Sequence, residues 1–372
     1  MMTDEQLRKK KAALFFTEGV SIKNWAEAGI LSREIAFYNE LSRYLAKIYF
    51  LTYGGEEDYR YQSFLSENIE IIPVLSSLSE QRHRERLESV VEEVDFLRTH
   101  QVKGADLALR LRKRSHRPVI VRSGYIWSLH YRRESRDFLA QWRIAEKERK
   151  IFTECDAILC TSTAGVNHAR RLCRGRAKPI EMIPNPVDTE RFRPLEVGKK
   201  KRSIIFVGRL VPQKNLFTLL RAVEGLDCSL TLVGDGPLKK ELFSFAARKK
   251  IMLKYHRQIP NEELPLLLNQ HEIFALPSLY EGMPKALLEG MACGLCAVAA
   301  QIDGVTDVIE DQVNGRLCST RHGSIRKILG ELLQAPELVK RYGKEARLSI
   351  ERRFKLERIV EQEVEFYKNV LC

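Results

Sequence analysis

The stretch ALPSLYEGMPKALLEGMACGLCAVA, residues 275–299, holds two carboxylates, Glu281 and Glu289, in a run whose only other charge is Lys285. It reads as a strand end, a loop, a helix and a second strand. Leu276 closes the apolar run EIFALP, Glu281 lies in the loop, and Pro284 fits the first helical position, where a missing N–H does no harm. CAVAA, residues 296–300, is the next strand. Strand, helix, strand at this spacing is the unit of a parallel sheet. A helix apolar on nearly every side is buried. A carboxylate inside it is costly unless satisfied. Two in one such segment mark an internal polar site.

The same rhythm extends in both directions. Upstream in the second half, SIIFVG (203–208) and SLTLVGDG (229–236) read as strands, each followed by a helix, at 215–223 and 237–249. IMLKY (251–255) is another strand, and 262–269 and 284–292 are helices. The first half alternates likewise, with strands at 12–16, 47–54, 69–75, 118–121 and 156–162 and helical patterns at 30–44 and 82–98. EMIPNPVDTERFRP (181–194), with three prolines, separates the two series. Residues 356–370 form a charged helix carrying apolar Ile359, Val360, Val364 and Phe366. The fold class is therefore α/β, with two doubly wound parallel-sheet domains. Residues 1–186 form the first, 187–354 the second, and 355–372 a terminal helix.

Composition agrees. The 372 residues are 44% hydrophobic and 30% charged, as in a globular protein of two domains. No apolar run approaches the roughly 18 residues that span a bilayer. MMTDEQLRKKKAALFF lacks the long apolar core of a secretory signal, so a cytoplasmic protein, or one at the cytosolic face of a membrane, is expected. Net charge is +13. Residues 110–136 carry nine Lys or Arg against one acid, with Tyr125, Trp127 and Tyr131 interleaved. A solvated basic face explains this, as does attraction to anionic lipid or phosphate-bearing substrates. No zinc-finger spacing, RNP signature or KH loop supports nucleic acid. The CxxC of Cys293 and Cys296 has no second pair at zinc spacing and reads as packing.

In open parallel sheets ligands bind beyond the carboxyl ends of the strands. Three strand-to-helix turns supply candidates there. VGRLVPQKN (207–215) brings Gly208, Arg209 and Lys214, and two cations near a helix N-terminus suit a diphosphate. VGDGPL (233–238) brings Gly234 and Gly236, which allow close backbone approach. LYEGMPKALLEG brings Glu281, Gly282, Met283, Pro284 and Glu289. A carboxylate pair suits sugar hydroxyls, because each oxygen accepts hydrogen bonds. An acid–nucleophile pair of a glycosidase is the alternative. No DxD, HExxH, GxSxG or GxxxxGK[ST] occurs, so cations rather than a metal are expected on the phosphates.

PNPVD (184–188), VGRLVPQKN, VGDGPL, the Glu281–x7–Glu289 block and DGVTDVIEDQVNG (303–315), in that order, resemble the retaining nucleotide-sugar glycosyltransferases of family four, or group 1, which have the GT-B fold. The resemblance is dense over residues 181–320. It implies two Rossmann-like domains facing a cleft, with the terminal helix crossing back to the first. It implies Arg209 and Lys214 on the donor diphosphate and Glu281 on the donor sugar. Gly282, Met283 and Pro284 would cradle sugar and distal phosphate, and Glu289 the ribose hydroxyls. In the first domain Lys23, Trp25 and Gly29 match the family's glycine-containing loop less closely. Where the family often has a histidine after the strand corresponding to PVIV, this chain has RSGY, leaving Arg122 and Tyr125 as acceptor-side candidates.

The expected reaction moves a hexosyl unit from a nucleotide-diphosphate sugar to a hydroxyl of a glycan or lipid-linked acceptor, with retention and without metal or other cofactor. Arg209 and Lys214 would stabilise the leaving diphosphate, and the leaving phosphate oxygen would take the acceptor proton. Cell-surface polysaccharide, lipopolysaccharide or glycolipid synthesis is the expected setting, with peripheral association at an anionic membrane. A sugar-nucleotide epimerase of the same architecture, or a non-catalytic sugar-nucleotide or nucleic-acid binding protein, are the alternatives.

Overall fold

Short apolar runs, buried on both faces except at the sheet edges, form two parallel sheets in the computed structural model, which describes residues 2–76 and 79–372. The chain divides into two compact units. One comprises Met1–Pro184 and Ile359–Cys372, the other Asn185–Arg358. The sequence reading put the junctions at 186 and 354.

The first unit holds β1 (Lys11–Phe15), β2 (Lys47–Leu51), β3 (Ile69–Ile72), β4 (Phe96–Thr99), β5 (Val119–Ser123), β6 (Ala157–Cys160) and β7 (Ile180–Met182), in the order β3-β2-β1-β4-β5-β6-β7. The second holds β8 (Ser203–Val207), β9 (Ser229–Val233), β10 (Leu253–His256), β11 (Ile273–Leu276), β12 (Cys296–Ala300) and β13 (Arg316–Cys318), in the order β10-β9-β8-β11-β12-β13. Both sheets start in the middle, grow one way for three strands, then reverse. The reversal falls between β1 and β4 in one unit and between β8 and β11 in the other. Ligands of such sheets bind at that crevice, beyond the carboxyl ends.

Three strands differ from expectation: β7 and β13 are not among those read from the sequence, and β4 falls inside a helix read there. The helix read over 82–98 stops at Glu93, and Phe96–Thr99 is β4, paired with both β1 and β5. Arg98 disguises it, because a charge in a fully buried strand contradicts the apolar pattern. Tertiary structure resolves the contradiction. Arg98 Nε lies 2.6 Å from Glu363 Oε1, on the terminal helix Leu356–Val370, and Nη1 donates to Tyr38 Oη at 3.1 Å. Burial works against the Arg98 charge, and Glu363 outweighs it, holding the guanidinium well above its ordinary pKa. The helix buries Ile359, Val360, Val364, Phe366 and Tyr367 along with Glu363.

The basic stretch at 110–136 is not one surface. Arg112 grips Asp156 with two nitrogens, Arg114 pairs with Glu88 at 2.9 Å, and Arg122 is buried in β5. Arg112, Lys113 and Arg114 end helix Ala105–Ser115, where cations complement the helix dipole. They precede β5, at the opposite end of the sheet from Arg132, Arg133 and Arg136, which follow it. Cys293 and Cys296 are fully buried. Burial raises both thiols, that of Cys296 to about 12, as befits packing residues.

Candidate functional site

Four loops converge at the carboxyl ends of the second sheet. The first leaves β8 through Gly208 and Arg209, makes a tight turn at Pro212–Lys214, and enters helix Leu216–Val223. Asn215, read as the first helical residue, instead takes the left-handed conformation at φ 55°. That geometry frees its amide to donate to the carbonyls of Pro277 and Thr320 at 3.1 and 3.0 Å. The Leu279 N–H donates to the Gln213 carbonyl at 2.8 Å, and Gln213 Nε2 donates to the Tyr280 carbonyl at 2.7 Å. The loop after β8 is thereby laced to the loop after β11.

This lacing brings Lys214 Nζ to 2.5 Å from Glu281 Oε1, with side chains only 13% and 8% exposed. A cation and a carboxylate are held together at the topological switch of the sheet. Arg209 stands exposed at the end of β8, in the same loop. Helix Lys285–Ala292 begins one residue after Pro284, which caps it rather than opening it. Among the described residues the N–H groups of Gly282 and Met283 have no hydrogen-bond partner. They precede the first helical turn, whose own N–H groups lack helical acceptors. The Met283 carbonyl accepts from Asn185 Nδ2 at 2.7 Å, which fixes the loop from beneath.

Glu289 is 2% exposed and accepts from Asn261 Nδ2 at 3.0 Å. Asn261 was not singled out in the sequence. It lies in an irregular segment after β10, and only the fold carries it to the helix. Gly208, Gly234 and Gly236 sit where the loops after β8 and β9 press together. The Leu210 N–H donates to the Asp235 carbonyl at 2.8 Å, and a Cβ on Gly234 would lie 2.0 Å from the Gly208 oxygen. The fourth loop, after β12, contributes Gly304 at φ +77°. A Cβ there would lie 1.3 Å from the Gly282 carbonyl oxygen. Gly304→Ala therefore displaces the Glu281–Met283 loop. The expected result is a lowered melting temperature with the sheet intact by circular dichroism; an unchanged melting temperature contradicts it.

The first unit places its candidates differently. Trp25 is 4% exposed, its ring stacked on Phe16 with centroids 4.5 Å apart, so it belongs to the core rather than to an acceptor surface. Arg122 is also buried, and burial followed by the nearby Arg98 charge lowers its pKa. Gly29, at φ +66°, ends helix Ile22–Glu27 rather than forming the loop after β1. Gly19, at φ +78°, occupies that loop. Lys23 lies on the same helix, 4.0 Å from Glu27, and its N–H donates to buried Asp58 at 3.0 Å. Tyr125 is half-buried, its ring centroid 4.9 Å from that of His130. The switch between β1 and β4 holds other groups. Thr17 Oγ1 lies 3.0 Å from His100 Nδ1, and His100 Nε2 lies 3.7 Å from Glu34 Oε2. With β4 unrecognised, nothing in the sequence placed His100 at a strand end.

Among the described residues no three His, Cys, Asp or Glu side chains cluster as a metal site, and no helix is long and apolar enough to cross a membrane.

Comparison with known proteins supports the same architecture. The profile of the family described as Glycosyl transferases group 1 matches residues 187–349, and that of Glycosyltransferase Family 4 matches residues 40–191. The chain is 32% identical to the Escherichia coli UDP-Gal:alpha-D-GlcNAc-diphosphoundecaprenol alpha-1,3-galactosyltransferase over 37% of this chain and 41% of that one. It is 29% identical to the GDP-mannose-dependent alpha-(1-6)-phosphatidylinositol monomannoside mannosyltransferase of Mycolicibacterium smegmatis, over 44% and 49%. The chain thus spans less than half the length of these two relatives. Its fold is shared with Anabaena HepE, crystallised with UDP and glucose, at a TM-score of 0.78 and 17% identity over 97% of this chain and 100% of that one. Two Rossmann-like sheets of the GT-B class, and two matches that together run from residue 40 to residue 349, make the chain a member of the group 1, family 4-like glycosyltransferases.

Proposed function

We propose that the chain transfers a hexosyl unit from a nucleotide-diphosphate sugar to a hydroxyl of a glycan or lipid-linked acceptor, with retention of configuration. The observation that carries this reading is the Lys214–Glu281 pair at the switch of the second sheet, with exposed Arg209 in the same loop. Lys214 and Arg209 neutralise charge developing on the leaving diphosphate. Glu281 accepts from donor-sugar hydroxyls, and the N–H groups of Gly282 and Met283 bind the same end. Glu289, with Asn261 behind it, receives the ribose hydroxyls. The cations take the place of a metal ion, so activity should survive chelation with EDTA.

The two named relatives act on sugars borne by diphosphoundecaprenol and phosphatidylinositol. A lipid-borne acceptor, met at the cytosolic face of a membrane during surface glycan or glycolipid synthesis, extends that pattern here. On the acceptor side, Thr17 and His100 replace Trp25 and Arg122 as the groups best placed at a switch point.

The test is a thermal-shift screen of nucleotides and nucleotide sugars, followed by mass spectrometry and NMR of the product. Stabilisation by one donor and an α-linked product from an α-linked donor support the reading. An isomerised sugar nucleotide formed without acceptor makes the protein an epimerase instead. Glu289→Gln is expected to weaken binding of the parent nucleotide roughly tenfold or more, since a charge-assisted acceptor is lost. Unchanged affinity in calorimetry removes Glu289 from the ribose.

A further inference from the structure

Phe138 is 82% exposed, Leu139 69% and Trp142 64%, the three most exposed large hydrophobic side chains among the described residues. Single exposed apolar residues are ordinary, but a cluster marks a docking surface. All three lie in the first turns of helix Phe138–Glu154, which Asp137 caps by accepting the Ala140 N–H at 3.0 Å.

The hairpin that carries them is tied at its base and projects. Buried Glu148, on the same helix, accepts the Trp127 N–H at 2.8 Å and the Ser128 hydroxyl, and lies 3.0 Å from His168 Nε2. It is thereby pinned to the start of helix Trp127–Glu134, just beyond the carboxyl end of β5. Phe138 is ten residues earlier, roughly 15 Å further along the helix axis. The apolar tip therefore stands past the strand ends, on the side of the sheet where Thr17 and His100 meet. Arg132, Arg133, Arg136 and Arg143 are exposed around it, against the exposed acids Glu134 and Asp137. Arg132 and Arg171 edge the groove that Phe138, Trp142 and Leu129 line.

We propose that this hairpin tip docks into an anionic phospholipid bilayer. Phe138, Leu139 and Trp142 enter the interfacial layer, and the arginines rest on lipid phosphates. Tryptophan favours that layer because its ring is apolar and its N–H still finds acceptors. Basic residues beside it add attraction to anionic headgroups that fades with salt. The ring of arginines and the projecting apolar tip match an anionic surface with an apolar layer beneath it. This rests on the proposed glycosyl transfer only for what it brings near, an acceptor carried on a lipid.

The experiment is co-sedimentation of the full chain with vesicles of phosphatidylglycerol and phosphatidylcholine, beside pure phosphatidylcholine. Binding is expected to the anionic vesicles and to weaken with salt. The triple variant Phe138→Ser, Leu139→Ser, Trp142→Ser should lose at least about tenfold in partitioning while keeping the parent's melting temperature. Arg132→Glu with Arg136→Glu should lose a comparable amount at low salt. Equal binding by parent and triple variant overturns the proposal. So does a parent dimer that the triple variant dissociates without vesicles, because the tip is then a subunit interface. Vesicle binding needs no donor, so a parent that ignores every nucleotide overturns the transfer reading alone.

Discussion

Lys214→Ala is expected to lower kcat for the proposed sugar transfer by roughly 10²–10³-fold, the cost of removing one preorganised group from a site where negative charge would develop. The basis is geometric. Lys214 reaches the switch of the second sheet on a short turn tied by Gln213 and Asn215 to the loop after β11, and its charge is largely enclosed. Its partner in the structure is Glu281 at 2.5 Å, so the variant also strands a carboxylate whose side chain is 8% exposed. Glu281→Gln and the double variant separate the two effects. If Lys214 serves only to hold Glu281, the double variant is no worse than either single one. If both groups touch the donor, it is worse. Lys214→Arg should recover part of the rate, because the positive charge returns with altered geometry. A Lys214→Ala protein that folds and keeps kcat within about threefold of the parent removes Lys214 from the reaction.

Glu363→Ala is expected to destabilise the first unit by about 3–5 kcal/mol, the usual cost of stranding one member of a buried ion pair. Arg98 is 2% exposed and Glu363 fully buried, so the remaining guanidinium has no water to turn to. The first thermal transition should fall by about 10 °C. Two units need not melt together, so the transition is best followed by hydrogen exchange in β4 and in helix Leu356–Val370. Tyr367 also donates to Glu363, and Glu363→Gln should cost less because it keeps an acceptor. Replacing both charges, Arg98→Met with Glu363→Leu, should cost less than Glu363→Ala alone, since neither charge is then left buried unpaired. A Glu363→Ala protein melting within about 2 °C of the parent shows that the pair contributes little.

The residues that drew attention in the second unit are those whose chemistry is local. Glu281 and Glu289 stood out because charges are rare in an apolar run, and Gly234 because two glycines flank a strand-to-helix turn. The group 1 match, over residues 187–349, runs through the same motifs. In the first unit the signals misled. Trp25 looks like a ligand-facing aromatic beside Lys23, yet it packs on Phe16. Gly29 looks like the loop glycine after β1, yet Gly19 occupies that loop. The basic run at 110–136 reads as one patch, yet a helix, a strand and a second helix carry its charges to opposite ends of the sheet.

By itself the sequence determined the alternation of apolar strands and amphipathic helices, hence two parallel sheets, and the terminal helix at 356–370. Those features depend on periodicity and on turn residues within a few positions of one another. Only the tertiary structure decided that Phe96–Thr99 is a central strand, because the partner that makes Arg98 tolerable there lies 265 residues away. It alone set Lys214 against Glu281, Asn261 against Glu289 and Gly304 against Gly282, since each contact joins segments that follow different strands of the sheet. Strand order is fixed by how sheets bury both faces and connect right-handedly. It is therefore a property of the packed whole, and the site inherits it.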